Sequence, residues 1–137
     1  MGKEEQTPSE SEWMVMEILW ASESSMTSKE VIHELRKQNS MTPKMVRVLI
    51  NRLCEKGLLS YTVDPDDKRV YHYSVTKSKE DCLKEKSKRF VDSYFSGNTA
   101  AAATNAMAAL LQSFAMTDEQ IRELEEILEK SKEQKKE

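Results

Sequence analysis

Glycine and proline are scarce in this chain, with three of each in 137 residues. Both residues punctuate loops, so their scarcity predicts few long loops and a mainly helical protein. Cysteine occurs only as Cys54 and Cys82. They are far apart and lack metal-site spacing, so they read as reduced, buried or half-buried thiols. Histidine is limited to His33 and His72, both at positions expected on the surface. There is no paired-His metal motif, glycine-rich phosphate loop or nucleophile elbow. No catalytic residue, cofactor or metal is therefore expected. No apolar run approaches the roughly 18 residues that a membrane span needs. The opening MGKEEQTPSESE lacks the apolar core of a signal peptide. A cytoplasmic protein without a membrane partner is expected.

Hydrophobic residues make up 38% of the chain and charged residues 33%, which suits a polar globular protein with a modest core. The net charge of −3 conceals a division by region. Residues 1–26 carry one Lys and six Glu. Residues 27–89 carry 15 Lys/Arg against 9 Asp/Glu, and residues 90–137 carry 5 against 9. A basic segment thus lies between acidic ends, and it is the local field that steers a polyanion.

The richest stretch is residues 42–75, TPKMVRVLINRLCEKGLLSYTVDPDDKRVYHYSV. Thr42 can cap a helix, and Pro43 fits the first helical position, where no amide bond is lost. Val46, Leu49, Ile50 and Leu53 give helix 43–56 a core face. Lys44, Arg47, Asn51 and Arg52 fall mostly on the other face, with Met45 and Val48 beside them. Gly57 supplies a left-handed stop. Leu59, Tyr61 and Val63 alternate with Ser60 and Thr62 as a half-buried strand, and Tyr71, Tyr73 and Val75 form a second. DPDDKR between them is turn chemistry. Its three Asp superficially resemble a calcium loop, but the required Gly and the downstream Glu are missing.

Upstream, Ser9 or Ser11 can cap a helix whose run WMVMEILW is apolar on nearly every face, so it should pack on more than one side. Thr27 and Glu30 form a capping box for a short helix that ends near Gln38–Asn39, with Asn39 as a left-handed cap. Only about three residues would then separate it from the next helix. Downstream, Thr76 or Ser78 restarts a helix to about Ser96, and Gly97–Asn98 stops it. An Ala-rich helix follows from about Thr99 to Ala115. Thr117 caps a last helix with Ile121, Leu124, Ile127 and Leu128 as its stripe, and the KSKEQKKE tail is expected to fray.

The expected fold is mainly α with a small β-hairpin. Residues 1–77 form a winged helix-turn-helix domain, and residues 78–137 form a helical dimerisation domain. The three C-terminal helices are too thin to bury Phe90, Tyr94, Phe95, Leu110, Leu111, Phe114, Ile121, Leu124 and Leu128 by themselves. A twofold partner chain would cover them, and the small side chains from Ala100 to Ala109 would allow close approach.

A helix that reads a major groove must project polar groups from an anchored back, and helix 43–56 does so. Thr42 and the first amides can bind a phosphate. Lys44 and Arg47 can reach guanine acceptors or phosphates, and Met45 a thymine methyl. Asn51 suits phosphate, and Arg52 suits either phosphate or an acidic neighbour. Lys68 and Arg69 suit a wing on the backbone or minor groove, although Asp64, Asp66 and Asp67 oppose phosphate there. Double-stranded DNA is the expected partner. The acidic ends and acidic turn motivate an alternative, a winged-helix protein-interaction module. Trp13, Trp20 and Tyr94 motivate a small-molecule sensor.

The segments SESEWMVMEILW, TSKEVIHEL, VRVLINRLCEKGLLSY and RVYHYSV together resemble the penicillinase-repressor family. The resemblance covers nearly the whole chain. Its sharpest parts are Trp13-x-Val15-Met16, the Arg47–Leu49–Arg52–Leu53–Gly57 pattern, and Tyr71 with Tyr73. It implies a homodimeric transcriptional repressor that places its third helix in the major groove of a palindromic operator. It also implies derepression by a sensor or protease, through cleavage of an Asn-Phe bond in the C-terminal helices. The corresponding stretch here, LLQSFA, carries Ser113–Phe114, which matches the Phe and not the Asn. The copper-responsive branch has a C-terminal cysteine cluster that this tail lacks. Met45 stands where relatives commonly have Thr.

Overall fold

The computed structural model describes residues 7–95 and 100–135. Its elements in chain order are α1 (Glu10–Ala21), α2 (Ser28–Arg36), α3 (Pro43–Glu55), β1 (Leu59–Val63), β2 (Tyr71–Val75), α4 (Lys79–Tyr94), α5 (Ala100–Ser113) and α6 (Asp118–Lys135). The described residues are thus mainly helical, with a single antiparallel hairpin as the wing of a winged helix.

Local chemistry starts each N-terminal helix. Ser9 caps α1 reciprocally with Glu12: the Glu12 amide donates to Ser9 Oγ at 3.3 Å, and the Ser9 amide donates to Glu12 Oε1 at 3.0 Å. Thr27 and Glu30 do the same for α2 at 3.2 and 2.8 Å. Thr42 accepts the Met45 amide at 3.2 Å, with Pro43 in the first turn of α3. Each cap satisfies backbone donors that a helix start leaves open.

The three helices close around one core. Val15, Met16 and Leu19 of α1 meet Val31, Ile32 and Leu35 of α2 and Val46, Leu49, Ile50 and Leu53 of α3. Burying each of these side chains contributes about 1.5–3 kcal/mol. Gly57 ends α3 in the left-handed region at φ 76°, and the chain turns directly through buried Leu58 and Leu59 into β1. The strands pair antiparallel with Leu59 opposite Val75 and Tyr61 opposite Tyr73. Met26, just before α2, adds a one-residue bridge: its amide donates to the Tyr73 carbonyl at 3.0 Å, and the Tyr73 amide returns a bond at 2.8 Å. The wing is thereby fixed to the start of α2.

The structure corrects several expectations. Asn39 does not adopt the left-handed cap. Its side-chain oxygen accepts the Met41 amide at 2.8 Å, a turn that needs no positive φ. The helix ends at Arg36, and residues 37–42 connect it to α3, a longer link than expected. Strand β1 is not half-buried: only Leu59 is covered, and Tyr61 and Val63 are exposed. Two strands alone place no second layer over that face. Helix α6 extends to Lys135 and so takes in most of the charged tail, whose last two residues lie outside the described ones. The expected stop at Gly97–Asn98 and the Thr99 helix start lie outside the described residues.

The chain packs as two units, the first ending at Arg89 and the second beginning at Phe90. The expected boundary at 77/78 precedes α4, whereas the start of α4 packs with the first unit. Cys82 belongs to the winged-helix core, Lys79 pairs with Glu17 at 3.0 Å, and the Trp20 indole donates to the Lys77 carbonyl at 2.9 Å. Trp13 and Trp20 meet edge to face at 5.1 Å, an arrangement aromatic pairs favour.

In the second unit, Phe90 contacts Tyr94 and Phe95, and Ala102 and Ala106 are buried. Thr117 and Gln120 cap α6 reciprocally at 3.0 and 3.1 Å. Phe90, Tyr94, Leu110, Leu111, Phe114, Ile121, Leu124 and Leu128 are exposed, and Phe95 is half-buried.

Candidate nucleic-acid interface

Helix α3 is anchored along one side and open along the other. Val46, Leu49, Ile50 and Leu53 are buried, and the helical period therefore turns Lys44, Arg47 and Asn51 outward. Thr42, Lys44, Met45, Arg47, Asn51 and Arg52 are all exposed. At its far end α3 is tied down. The Lys56 ammonium donates to Glu12 Oε1 at 2.6 Å and to the Thr7 carbonyl at 3.1 Å. Burial alone raises the Glu12 carboxyl, but hydrogen bonds from Lys56 and the Ser9 amide outweigh it and hold the carboxyl below its ordinary value.

A cleft of about 720 Å³ opens between α3, the wing and the start of α2. Arg47 from α3, Lys68 and Arg69 from the wing, and Lys29 from the first turn of α2 line it together with Thr27, Ser28 and Tyr71. Of the sequence-based candidates, Arg47, Lys68 and Arg69 meet here, while Lys44, Met45, Asn51 and Arg52 lie elsewhere on the exposed side of α3. Lys29 and Tyr71 are additions. Lys29 sits inside the Thr27–Glu30 capping box, and only the folding of α2 against the wing brings it near Arg47. Tyr71 stacks on Tyr61 with centroids 4.7 Å apart and planes 7° from parallel, a diagonal cross-strand contact that stiffens the hairpin.

The wing turn is ordered by its own acids. Asp64 Oδ2 accepts the amides of Asp66 and Asp67 at 2.9 and 3.0 Å, and Asp64 Oδ1 lies 2.8 Å from His72 Nε2. Asp67 receives the Arg69 guanidinium at 3.1 and 3.3 Å and the Arg69 amide at 3.0 Å. The His72 contact, followed by the turn amides, lowers the Asp64 carboxyl, and Arg69 lowers that of Asp67. Asp64 and Asp67, whose charges oppose phosphate, are thus also the acceptors that shape the turn.

Comparison with known proteins decides the family. The penicillinase-repressor profile matches residues 8–130. The chain belongs to the penicillinase-repressor family. It is 32% identical over 129 residues to the penicillinase repressor of Bacillus licheniformis, covering 94% of both chains. It is 27% identical over 122 residues to the methicillin resistance regulatory protein MecI of Staphylococcus aureus (strain N315), covering 89% of this chain and 93% of that one. A MarR family transcription regulator, SP03579, shares the fold with a TM-score of 0.50 at 13% identity, over 93% of this chain and 72% of that one. As a penicillinase-repressor family member, the protein is a DNA-binding transcriptional repressor and not an enzyme. Among the described residues, no helix of the repressor is long and apolar enough to cross a membrane.

Proposed function

We propose that this repressor acts as a homodimer on a palindromic operator, with α3 in the major groove and the wing on the flanking backbone. The observation that carries the reading is the cleft that gathers Lys29, Arg47, Lys68 and Arg69 from three separate elements. Four cations on one concave surface suit the phosphates on either side of a groove. Thr42 and the first amides of α3 suit a phosphate, and Lys44, Arg47 and Met45 suit base edges. Asn51, Arg52, Lys68 and Arg69 serve the backbone. The exposed apolar side chains of the second unit support a twofold partner, which would space two recognition helices about one DNA turn apart.

The repressor is released by a signal on the C-terminal helices, delivered by a sensor or a protease. Ser113 ends α5, and Phe114 follows it in the exposed connection to α6, a position open to cleavage. A cut there would remove α6 and, with it, Ile121, Leu124 and Leu128.

Selection of bound sequences from random duplexes with the purified protein tests the reading. A palindromic sequence is expected to be enriched. Arg47→Ala is expected to weaken binding to it by roughly 1–3 kcal/mol and to relax specificity. Lys68→Ala should weaken all sequences alike and reduce the salt slope by about one. Absence of any enriched duplex, together with capture of a protein partner, would instead favour a protein-interaction module.

A further inference from the structure

The wing presents three aspartates beside Lys68 and Arg69. By charge alone, each should weaken binding to a polyanion. Their surroundings are not alike. The Asp64 side chain is only 26% exposed although it sits in a surface turn. Its two oxygens serve three donors: the amides of Asp66 and Asp67, and the His72 ring. Around it the backbone closes the turn, with the Asp64 amide donating to the Val70 carbonyl at 2.8 Å and the Val70 amide to the Asp67 carbonyl at 3.0 Å. The Asp66 carboxylate makes no hydrogen bond or ion pair among the described residues. Lys68 and Arg69, the two cations the wing supplies to the cleft, lie within the loop that Asp64 shapes.

We propose that Asp64 is a positioning residue for DNA binding, whose carboxylate folds the 64–70 turn so that Lys68 and Arg69 stand in the cleft with Arg47. The proposal rests on the DNA-binding reading above. His72 is the second half of the device. It lies opposite Thr62 on β2 and reaches the carboxylate from the neighbouring strand, so it ties the turn to the body of the hairpin. A buried or half-buried carboxylate that accepts several donors holds a loop more firmly than a neutral acceptor does. The acid is retained near the phosphates because it builds the surface that binds them.

The sign of the effect separates this role from simple electrostatics. Full-length protein is titrated by filter binding on a duplex selected from a random pool by the wild type, and on an unselected duplex of the same length, across a salt series. Asp66→Ala removes one idle negative charge and is expected to bind about two- to threefold more tightly. Asp64→Ala removes the same charge from the same turn but is expected to bind roughly five- to tenfold more weakly. Its salt slope should be shallower by about one to two, because Lys68 and Arg69 leave their phosphates. Asp64→Asn is nearly isosteric. It keeps an oxygen for the two amides, a weaker hold than the carboxylate's, and loses one negative charge, so it is expected to bind within about twofold of the wild type and well above Asp64→Ala. His72→Ala leaves all three acids in place and is expected to bind about two- to threefold more weakly, with a similarly shallower slope.

Equal or tighter binding by Asp64→Ala would overturn the proposal and leave the DNA-binding reading standing. A wild-type protein that retains no duplex would overturn that reading and the proposal together. Amide hydrogen exchange in the free protein checks the turn without DNA. The Asp66 and Asp67 amides should exchange faster in both Asp64→Ala and His72→Ala while the α3 amides are unchanged, and unaltered exchange at the turn would overturn the proposal.

Discussion

Lys56 and Glu12 form the most consequential pair outside the DNA-facing surface. They are 44 residues apart in sequence and 2.6 Å apart in space, and Glu12 is almost fully buried. A buried charge that loses its partner is costly. Lys56→Met should therefore lower the unfolding free energy by about 2–3 kcal/mol, less than the roughly 3–5 kcal/mol of fully buried pairs because Lys56 is partly solvated. Urea denaturation measures it, and a change within 0.5 kcal/mol, the usual range of surface substitutions, would show the pair to be idle. The pair also sets an acid limit. The folded Glu12 carboxyl lies below its ordinary value of 4.5, so its contribution is complete above that value and disappears as pH falls through the folded value. Glu12→Gln should lower stability at neutral pH and flatten the decline below pH 4.5. Nothing in the sequence announced this pair. Thr42, Pro43 and Gly57 were legible because a cap, a first-turn proline and a left-handed stop act on their immediate neighbours. Lys29 was missed as a cleft residue for the same reason as Lys56, since its neighbours there are remote in sequence.

At the scale of elements, the sequence revealed faces better than burial. The alternation of Leu59, Tyr61 and Val63 correctly put them on one side of β1, but period-two alternation does not say whether anything covers that side. Of β1 only Leu59 reaches the core, and Tyr61 finds Tyr71 instead, whereas β2 contributes Tyr73 to the core. Asn39 failed as a helix cap because its side chain offers the backbone a competing turn. Gly57 is the element boundary most open to test. A Cβ at this position would meet nothing within 4 Å, so a substitution there is opposed by the φ of 76° alone. Gly57→Ala should destabilise the first unit by about 1–2 kcal/mol. Gly57→Asn should lose less, since Asn tolerates the left-handed region. Thermal unfolding of the two variants checks the order, and an equal loss in both would point to a steric cause instead. The junction between α3 and β1 fixes where the wing departs, so Gly57→Ala should also weaken DNA binding in proportion to the wing's share of phosphate contacts.

For the whole molecule, the two units answer to different demands. The winged unit holds nearly all the buried apolar side chains, whereas the unit beginning at Phe90 leaves Leu110, Leu111, Phe114, Ile121, Leu124 and Leu128 in water as a single chain. Exposed apolar side chains in such number mark an interaction surface. Under the proposed twofold arrangement, the wild type is expected to scatter as a dimer and Leu124→Glu as a monomer at micromolar concentration. Operator affinity should then fall steeply, because a single α3 reads half a site. A wild type that scatters as a monomer would sink the twofold arrangement. Packing divides the chain within α4, between Arg89 and Phe90. α4 is one uninterrupted helix, and only the burial of Cys82 and the bonds of Lys77 and Lys79 assign its first turns to the winged unit. The neighbouring indoles of Trp13 and Trp20 give that division an optical signature. Both tryptophans of the chain lie in the first unit, so their emission follows the melting of that unit alone, while helical ellipticity sums over both. Recorded side by side during one denaturation, the two signals separate the cohesion of the reading head from that of the helices that would pair it.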